Sequence, residues 1–423
     1  MFYRFVCIAM SRFYIVVGIL LFLTSCYKEV EIMERNADVF ELSVSPEIQE
    51  FIYNSKDTSY TIEDPDLTFM LNNQQVEIKK ISIRGQTTLD YRRKSYSVNL
   101  DNPIIIRGRE GNERKRLINF KLISLSMDYT YINNRIAFGL LEQEGVMPLF
   151  YKYVEFKMNG ETQGVYLLVE DPESFFMEQG SEYILRRGYH HGIADAEYEP
   201  GPYLITREEY ISRFKEIYTQ LPHLHGDELY EAISQRVDLN QYFKKMGIDF
   251  LLQNGDNTDE VYFYALMEQN AIRYKIIPWD YDDIFDAHPH EVGVSWGTGT
   301  IFGSRYYKTH QDIYDEIGDK MIFSIEDDLD YAIAMDSLLY ALYESTLTNM
   351  IRSMDGDVFE TLFDQVEKEL TPFYNDNDLI LQSQYDLNST SLELWQNNIQ
   401  EKQALLENRL ELMKVQLKIQ TNL

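Results

Sequence analysis

Residues 253–283 read QNGDNTDEVYFYALMEQNAIRYKIIPWDYDD, and this stretch decides the fold because two acidic segments flank a predicted strand pair. The strands are predicted over residues 262–267 and 274–277, where aromatic and β-branched residues are frequent. A hairpin between these strands brings Asp256 near Asp280 in space. The stretch therefore predicts two acidic loops that meet at one edge of a β-hairpin.

These acidic loops have the chemistry of a site for a hard cation. Mg²⁺ prefers oxygen ligands, and it needs only one or two protein carboxylates when substrate phosphates supply the rest. Turn formation is the plainer explanation, because Asp and Asn are common in ordinary turns. The stiff Pro278-Trp279 pair directly before Asp280 speaks against a simple surface turn. Both explanations stay open at this point.

A basic segment precedes the acidic loops. Residues 79–121 contain 12 of the 39 Lys and Arg residues against four Asp and Glu, a net charge of +8. Arg84 and Gly85 follow a predicted strand, and Lys94 lies in a β-rich stretch, so the segment offers an anion both backbone amides and cations. A solvated basic face that balances acid elsewhere is the alternative explanation.

The composition excludes several classes of protein. The 423 residues include 69 Asp and Glu against 39 Lys and Arg, a net charge of −30, which argues against a nucleic-acid binder. Hydrophobic residues make up 44% of the chain, so most of it is expected to fold. Cys7 and Cys26 are the only cysteines, which excludes disulfide scaffolds and thiolate zinc sites. The segment HPHE at residues 288–291 is expected to be a polar loop, since its histidine spacing suits tetrahedral zinc poorly.

The N-terminus has the pattern of a bacterial export signal. Two arginines precede an apolar run over residues 13–23, whose 11 residues are too few to span roughly 30 Å of hydrocarbon but suit a signal-peptide core. Residues 23–26 read LTSC, which resembles a lipobox and predicts cleavage before Cys26 and lipidation of that residue. We therefore expect a signal peptide over residues 1–25, a lipidated linker over 26–40, and a protein anchored to a bacterial membrane outside the cytoplasm, the outer membrane being the favoured one.

The hydrophobic pattern predicts an α+β protein with a β-rich first part and a mainly helical second part. One domain is expected over residues 41–320, β-rich to about residue 171, followed by a helical region over 321–423. Asn159-Gly160 between apolar runs is the strongest hairpin pattern of the chain. The other predicted elements are strands over residues 77–83, 95–100 and 151–157, a helix over 129–144 capped by Asp128, helices over 207–252, a capping box at 324–327 and a long helix over 392–417.

Together the basic and acidic segments have the components of phosphoryl transfer. Cations bind phosphates, carboxylates hold Mg²⁺, and one carboxylate orients the attacking hydroxyl. A basic β-rich lobe followed by an acidic helical lobe is also the order found in protein kinases. The usual kinase strings G-x-G-x-x-G, H-R-D and D-F-G are absent from the sequence, so a kinase built on this chain is an atypical one.

The chain resembles the spore-coat protein H (CotH) kinase family, whose members combine an R-G-containing strand, a hydrophobic N-G hairpin and a late W-D-x-D motif. The resemblance implies an atypical protein-kinase-like two-lobe fold that uses ATP with Mg²⁺ or Mn²⁺ to phosphorylate Ser or Thr of a protein substrate. The matching segments follow the family order over about residues 78–286: residues 83–88 with 93–96, 122–124 with Asp128, 133–135, 158–170, Asp256, and 278–282.

The resemblance also implies roles for single residues. Asp256 matches the catalytic-loop Asp, Asp280 a Mg²⁺ ligand, and Asp282 a second ligand of the cation. Lys94 matches the residue that binds the ATP phosphates. Arg84, in the R-G strand, is expected at the same nucleotide site.

Further positions either extend the match or depart from it. Glu170 lies where the strand after the N-G hairpin ends, and it is expected near the nucleotide. Glu260 stands where family members commonly have Asn, so metal coordination is expected to move to Asn257 or Asp259. Asp286 replaces the Gly that often follows the W-D-x-D motif.

Three functions compete for this sequence. The leading one is a surface or periplasmic lipoprotein that acts as an ATP-dependent protein kinase. The second is a CotH-like lipoprotein without catalysis that has a structural role or binds extracellular polymers, because ATP is scarce outside the cytoplasm. A glycoside hydrolase is least favoured, since no pair of carboxylates at the required separation is identified. The glycine-rich segment 296–303 is expected to be a loop near the site; a lid is one candidate role, and its function stays open.

Overall fold

The computed structural model describes residues 30–31, 37–57, 60–85, 87–109, 113–181, 183–188, 192–198, 206–258, 261–268, 271–285, 310–354, 356–374 and 392–419. Cys26, Asp259 and the segments 288–291 and 296–303 lie outside these residues. The predictions made for them therefore stay predictions.

The fold is α+β with two lobes, as the sequence predicts. The described strands are β1 (Val30–Glu31), β2 (Val39–Ser43), β3 (Thr68–Leu71), β4 (Gln74–Gln75), β5 (Ile78–Arg84), β6 (Ser95–Arg107), β7 (Arg114–Ile123), β8 (Tyr151–Met158), β9 (Glu161–Glu170), β10 (Tyr183–Gly188), β11 (Gly192–Tyr198), β12 (Val261–Glu268) and β13 (Ala271–Pro278). The described helices are α1 (Pro46–Asn54), α2 (Asn133–Gln143), α3 (Pro172–Glu178), α4 (Arg207–Gln220), α5 (Gly226–Ser234), α6 (Leu239–Leu252), α7 (His310–Ile317), α8 (Asp328–Met335), α9 (Ser337–Ser353), α10 (Gly356–Tyr374) and α11 (Leu392–Gln416).

Two sheets organise the described strands. The larger has nine strands in the order β1-β6-β7-β9-β8-β2-β3-β4, with β5 also paired to β6. The smaller has the order β11-β10-β12-β13. One hydrophobic core, which includes Phe40, Tyr96 and Phe156, fills the β-rich lobe. A second core packs α2 and residues of β8 and β9 against the small sheet and the helices of the second lobe, so it joins the two lobes.

The hairpin predicted at Asn159-Gly160 is present between β8 and β9. Asn159 has φ of 51° and Gly160 has φ of 82°, and a two-residue hairpin turn with both central φ angles positive favours this residue pair. The Asn159 side chain also accepts a hydrogen bond from the amide of Val44 at 2.9 Å. The turn therefore fixes the hairpin register and ties it to the start of α1.

Two predicted helix starts are wrong. The helix expected over residues 129–144 begins only at Asn133, because Asp128 instead closes a tight turn by accepting the amides of Thr130 at 2.9 Å and Asn133 at 2.7 Å. The capping box expected at residues 324–327 does not form. Helix α8 begins at Asp328, and its cap is Asp327, whose carboxylate accepts the amide of Leu329 at 2.8 Å.

The C-terminal helix α11 packs against the turn before α2 and against the end of α6, which leads into the first acidic loop. Trp395 is fully buried, and its indole nitrogen donates to the carbonyl of Thr130 at 3.2 Å, just before α2. Arg409 donates to the carbonyl of Leu251 at 2.7 Å at the end of α6. Each helix in the described part of the chain is too short or too polar to cross a lipid bilayer.

Candidate functional site

The two acidic loops meet at one edge of the β12–β13 hairpin. Val261 pairs with Pro278, so the loop before β12 and the loop after β13 leave the hairpin side by side. The amide of Gly255 donates to the carbonyl of Asp283 at 2.8 Å, which joins the loops directly. The amide of Phe285 donates to the carbonyl of Leu252 at 2.7 Å, which adds a second link between them.

Asp280, in the loop after β13, is surrounded by charged and polar side chains. Its backbone is left-handed, with φ of 44°, a conformation that costs an ordinary side chain free energy and is typical of functional positions. Burial raises the pKa of Asp280, and the nearby charge of Asp256 raises it further. The charges of Arg84 and Arg186 and the polar side chain of Asn134 oppose this rise.

Asp282 lies in the same desolvated acidic environment. Burial raises the pKa of Asp282 well above its usual range, and the charges of Asp280 and Asp256 add to the shift. Carboxylates that repel each other in a poorly hydrated place are costly unless a cation joins them. The charges of Asp256, Asp280 and Asp282 therefore act on one another, and their role in holding a cation stays a prediction.

Two asparagines at the start of α2 hold the main chain between the carboxylates. Asn134 Oδ1 accepts the amide of Tyr281 at 2.7 Å, and Asn133 Nδ2 donates to the carbonyl of Asp282 at 2.7 Å. The hydroxyl of Tyr281 donates to Asp249 Oδ1 at 2.9 Å on α6. The sequence places both asparagines in the family pattern, but their contact with the acidic loop becomes visible only in the fold.

Arg187 is a functional candidate that the sequence reasoning missed. Its side chain is 1% exposed and pairs with Asp327 at 3.2 Å and with Asp330 at 3.5 Å. It also donates to the carbonyl of Thr258 and, at 3.2 Å, to that of Asn257. Burial raises the pKa of Asp327 to about 7, although Arg187 opposes the shift. The arginine thus ties the loop that follows Asp256 to the start of α8.

The predicted nucleotide-binding residues lie in different surroundings. The guanidinium of Arg84 lies 5.3 Å from the ring centre of Trp279, so the end of β5 lies beside the acidic edge, by which we mean the two acidic loops before β12 and after β13. Lys94 is 1% exposed, and its ammonium donates to the carbonyls of Leu89 and Tyr91, each at 2.7 Å. Lys94 therefore holds the turn after β5, and its contact with phosphate stays a prediction.

Glu170 ends β9 and is almost fully buried. Its carboxylate pairs with Lys115 at 2.5 Å and accepts the amide of Phe150 at 3.0 Å. Burial raises the pKa of Glu170, and Lys115 opposes this shift. The carboxylate is thus occupied by structural contacts, and the proximity of Glu170 to a nucleotide stays a prediction.

The donor set suits a cation that also binds phosphate. Within the described residues, Asn257 Oδ1 and Trp279 Nε1 are buried without a hydrogen-bond partner, so both atoms are available to a ligand. No group of three His, Cys, Asp or Glu side chains in the described part of the chain has the arrangement of a complete metal site. Mg²⁺ does not need one, because phosphate oxygens and water supply its remaining ligands.

Comparison with known proteins identifies the family of this chain. The family model described as CotH kinase protein matches residues 81–413, which include the second half of β5, the acidic loops and most of α11. Inner spore coat protein H of Bacillus subtilis (strain 168) is 21% identical over 271 residues, which cover 59% of this chain and 69% of that protein. The chain therefore belongs to the CotH kinase protein family.

Proposed function

We propose that this chain is an atypical protein kinase that uses ATP with Mg²⁺ or Mn²⁺ to phosphorylate Ser or Thr of a protein substrate. The observation that carries the proposal is the desolvated pair Asp280 and Asp282, coupled to Asp256 across the joined loops. Repulsion between desolvated carboxylates destabilises the folded chain unless a cation neutralises their charge. A cation bound together with phosphate would do so.

Each residue of the edge has a part in this proposal. Asp280 and Asp282 would hold the cation, which neutralises charge on the phosphate oxygens when bound. Asp256 orients the substrate hydroxyl and accepts its proton. Asn257 Oδ1, buried without a partner among the described residues, offers one further oxygen ligand, and Asp259 is kept as the alternative.

The basic residues are assigned to the nucleotide. Arg84, which already lies beside Trp279 and lowers the pKa of Asp280, is proposed to contact phosphate. Lys94 is proposed to do the same, which requires its ammonium to leave the carbonyls of Leu89 and Tyr91. The turn after β5 is therefore expected to rearrange when nucleotide binds. Glu170 keeps its proposed place near the nucleotide, with its carboxylate held by Lys115.

The proposed location is the cell envelope. The LTSC sequence supports a lipid on Cys26 that anchors the mature chain to a bacterial membrane, on the periplasmic or the outer face. The strongly acidic composition argues against nucleic acid as a partner.

One observation favours a second candidate, a CotH-like lipoprotein without catalysis. Arg84 and Arg186 both lower the pKa of Asp280, so part of the charge that a cation would neutralise is already compensated by the protein. In a non-catalytic member these arginines replace the cation, and the fold has a structural or polymer-binding role.

Nucleotide binding separates the two candidates. We expect ATP with Mg²⁺ to raise the melting temperature of the full mature chain, and we expect Asp280→Asn to abolish this shift. Asp256→Asn should keep it, because the proton acceptor is not needed for binding. Asp364→Asn, the same charge change at an exposed position on α10, is the matched control. The absence of any shift in the wild-type chain would favour the non-catalytic candidate.

A further inference from the structure

Lys402 of α11 reaches the turn that precedes α2. Its ammonium donates to Asp128 Oδ1 at 3.0 Å, to Thr130 Oγ1 at 2.5 Å and to Asn133 Oδ1 at 2.6 Å. An ammonium group has three N–H donors, so this set satisfies it fully. The lysine side chain is 15% exposed, and the carboxylate of Asp128 is fully buried. The contact therefore joins the C-terminal helix to the interior of the first lobe.

This contact fixes the orientation of the Asn133 amide. Lys402 can only donate, so Asn133 must present its oxygen to the ammonium. The amide nitrogen of Asn133 then points the other way, where it donates to the carbonyl of Asp282 at 2.7 Å. A reversed amide would place its N–H groups against the ammonium and its oxygen against a carbonyl, which costs both hydrogen bonds.

The same ammonium also compensates a charge beside the site. Asp128 is one of the carboxylates whose charge acts on Asp282. Lys402 is the strongest of the groups that favour the charged form of Asp128. Removal of the lysine charge would leave a buried carboxylate without its cation.

We propose that Lys402 is a positioning residue of the acidic edge, which acts through the amide of Asn133 to hold the main chain of Asp282. The C-terminal helix is then part of the site, although its lysine lies more than one hundred residues along the chain from the acidic loop. This inference rests on the proposed function for its consequence in metal binding, but the contact itself can be tested without it.

The first test is amide hydrogen exchange in the peptide that covers residues 276–285. Lys402→Met keeps the aliphatic side chain and removes the donors, so the amides of this peptide should exchange on the order of 10-fold faster. Lys414→Met is the matched control, because Lys414 lies on the same helix, is 13% exposed and pairs with the exposed Glu411. Equal exchange in the two variants would overturn the inference.

A double-mutant cycle tests the route through Asn133. If Lys402 acts through this amide, the variant Lys402→Met with Asn133→Ala exchanges no faster in the peptide of residues 276–285 than Asn133→Ala alone. Additive effects of the two changes would overturn the route. Lys402→Gln keeps an uncharged amide nitrogen that can donate, so it should have an intermediate effect. It also provides a milder variant if Lys402→Met fails to fold.

Metal affinity tests the consequence. Isothermal titration with Mn²⁺ and ATP should give about 10-fold weaker Mn²⁺ binding for Lys402→Met and an unchanged affinity for Lys414→Met. A loss of this size is typical when a residue that holds a metal ligand in place is removed. Faster exchange together with unchanged Mn²⁺ affinity would overturn the positioning role. A wild-type chain that binds no Mn²⁺ would refute the proposed function, whereas the exchange comparison would still decide the Lys402 contact.

Discussion

The pH dependence of stability should change when Asp327 is replaced by Asn. Burial raises the pKa of Asp327 to about 7 in the folded chain, against an ordinary value of 3.8 in the unfolded one. Between these two values the folded state holds a proton that the unfolded state has released. Stability from this group is therefore fully present below about pH 4 and is lost as the pH rises to about 7.

The magnitude follows from the width of this window. The sequence pI of about 4.6 makes solutions near that pH prone to precipitation, so the useful range is pH 5.5 to 8. Between pH 5.5 and the pKa of about 7, roughly 1.5 pH units, the folded state holds one proton more than the unfolded state. At 1.36 kcal/mol per pH unit this difference amounts to about 2 kcal/mol. Asp282 and Glu170 also have raised pKa values and affect both proteins alike, so the wild-type chain should lose about 2 kcal/mol more free energy of unfolding over this range than Asp327→Asn does.

Urea titrations at several pH values provide the assay. Two probes, tryptophan fluorescence and circular dichroism, should give the same transition before a free energy of unfolding is calculated. Asp364→Asn, on the exposed side of α10, controls for the change in net charge and should follow the wild-type pH dependence. Parallel curves for the wild-type chain and Asp327→Asn would refute the reasoning.

Two further predictions concern packing and anchoring. Gly139→Ala should destabilise the chain by about 1–3 kcal/mol, because the added Cβ would lie 2.5 Å from a methyl carbon of Leu362. In a denaturant titration, the double variant with Leu362→Ala should lose less free energy of unfolding than the sum of the two single variants. Full additivity would contradict this contact. Cys26→Ala should leave the protein without lipid, so detergent extraction of the producing cells should recover it outside the membrane fraction; persistent membrane partition would contradict the lipobox interpretation.

Local sequence patterns predicted the elements that depend on neighbouring residues. Asn159-Gly160 specifies its hairpin because the turn needs two positive φ angles, and the structure has both. The strand pair on either side of residues 269–270 was also recognised, and with it the meeting of the acidic loops. The helix starts at Asn133 and Asp328 were misplaced, because aspartates at positions 128 and 327 make local turns and caps that the apolar pattern does not encode.

The contacts that complete the site join residues far apart in the sequence. Arg187 meets Thr258 and Asp327 only after β10 enters the small sheet, and Arg186 and Arg187 carried no pattern that distinguished them from a surface pair. Lys402 likewise lies in an ordinary charged stretch of a long helix, and its role depends on where α11 crosses the start of α2. Tertiary packing determines these contacts, so local patterns in a single sequence do not predict them.

Phosphate transfer is the direct test of the central claim. The full mature chain, incubated with γ-labelled ATP and Mg²⁺ or Mn²⁺, should incorporate label into itself or into an added protein mixture at Ser or Thr. Asp256→Ala should bind nucleotide and transfer no label, and Asp280→Ala should do neither. Label that persists in both variants would contradict the assigned roles, and a wild-type chain that binds no nucleotide and transfers no label would contradict the kinase itself.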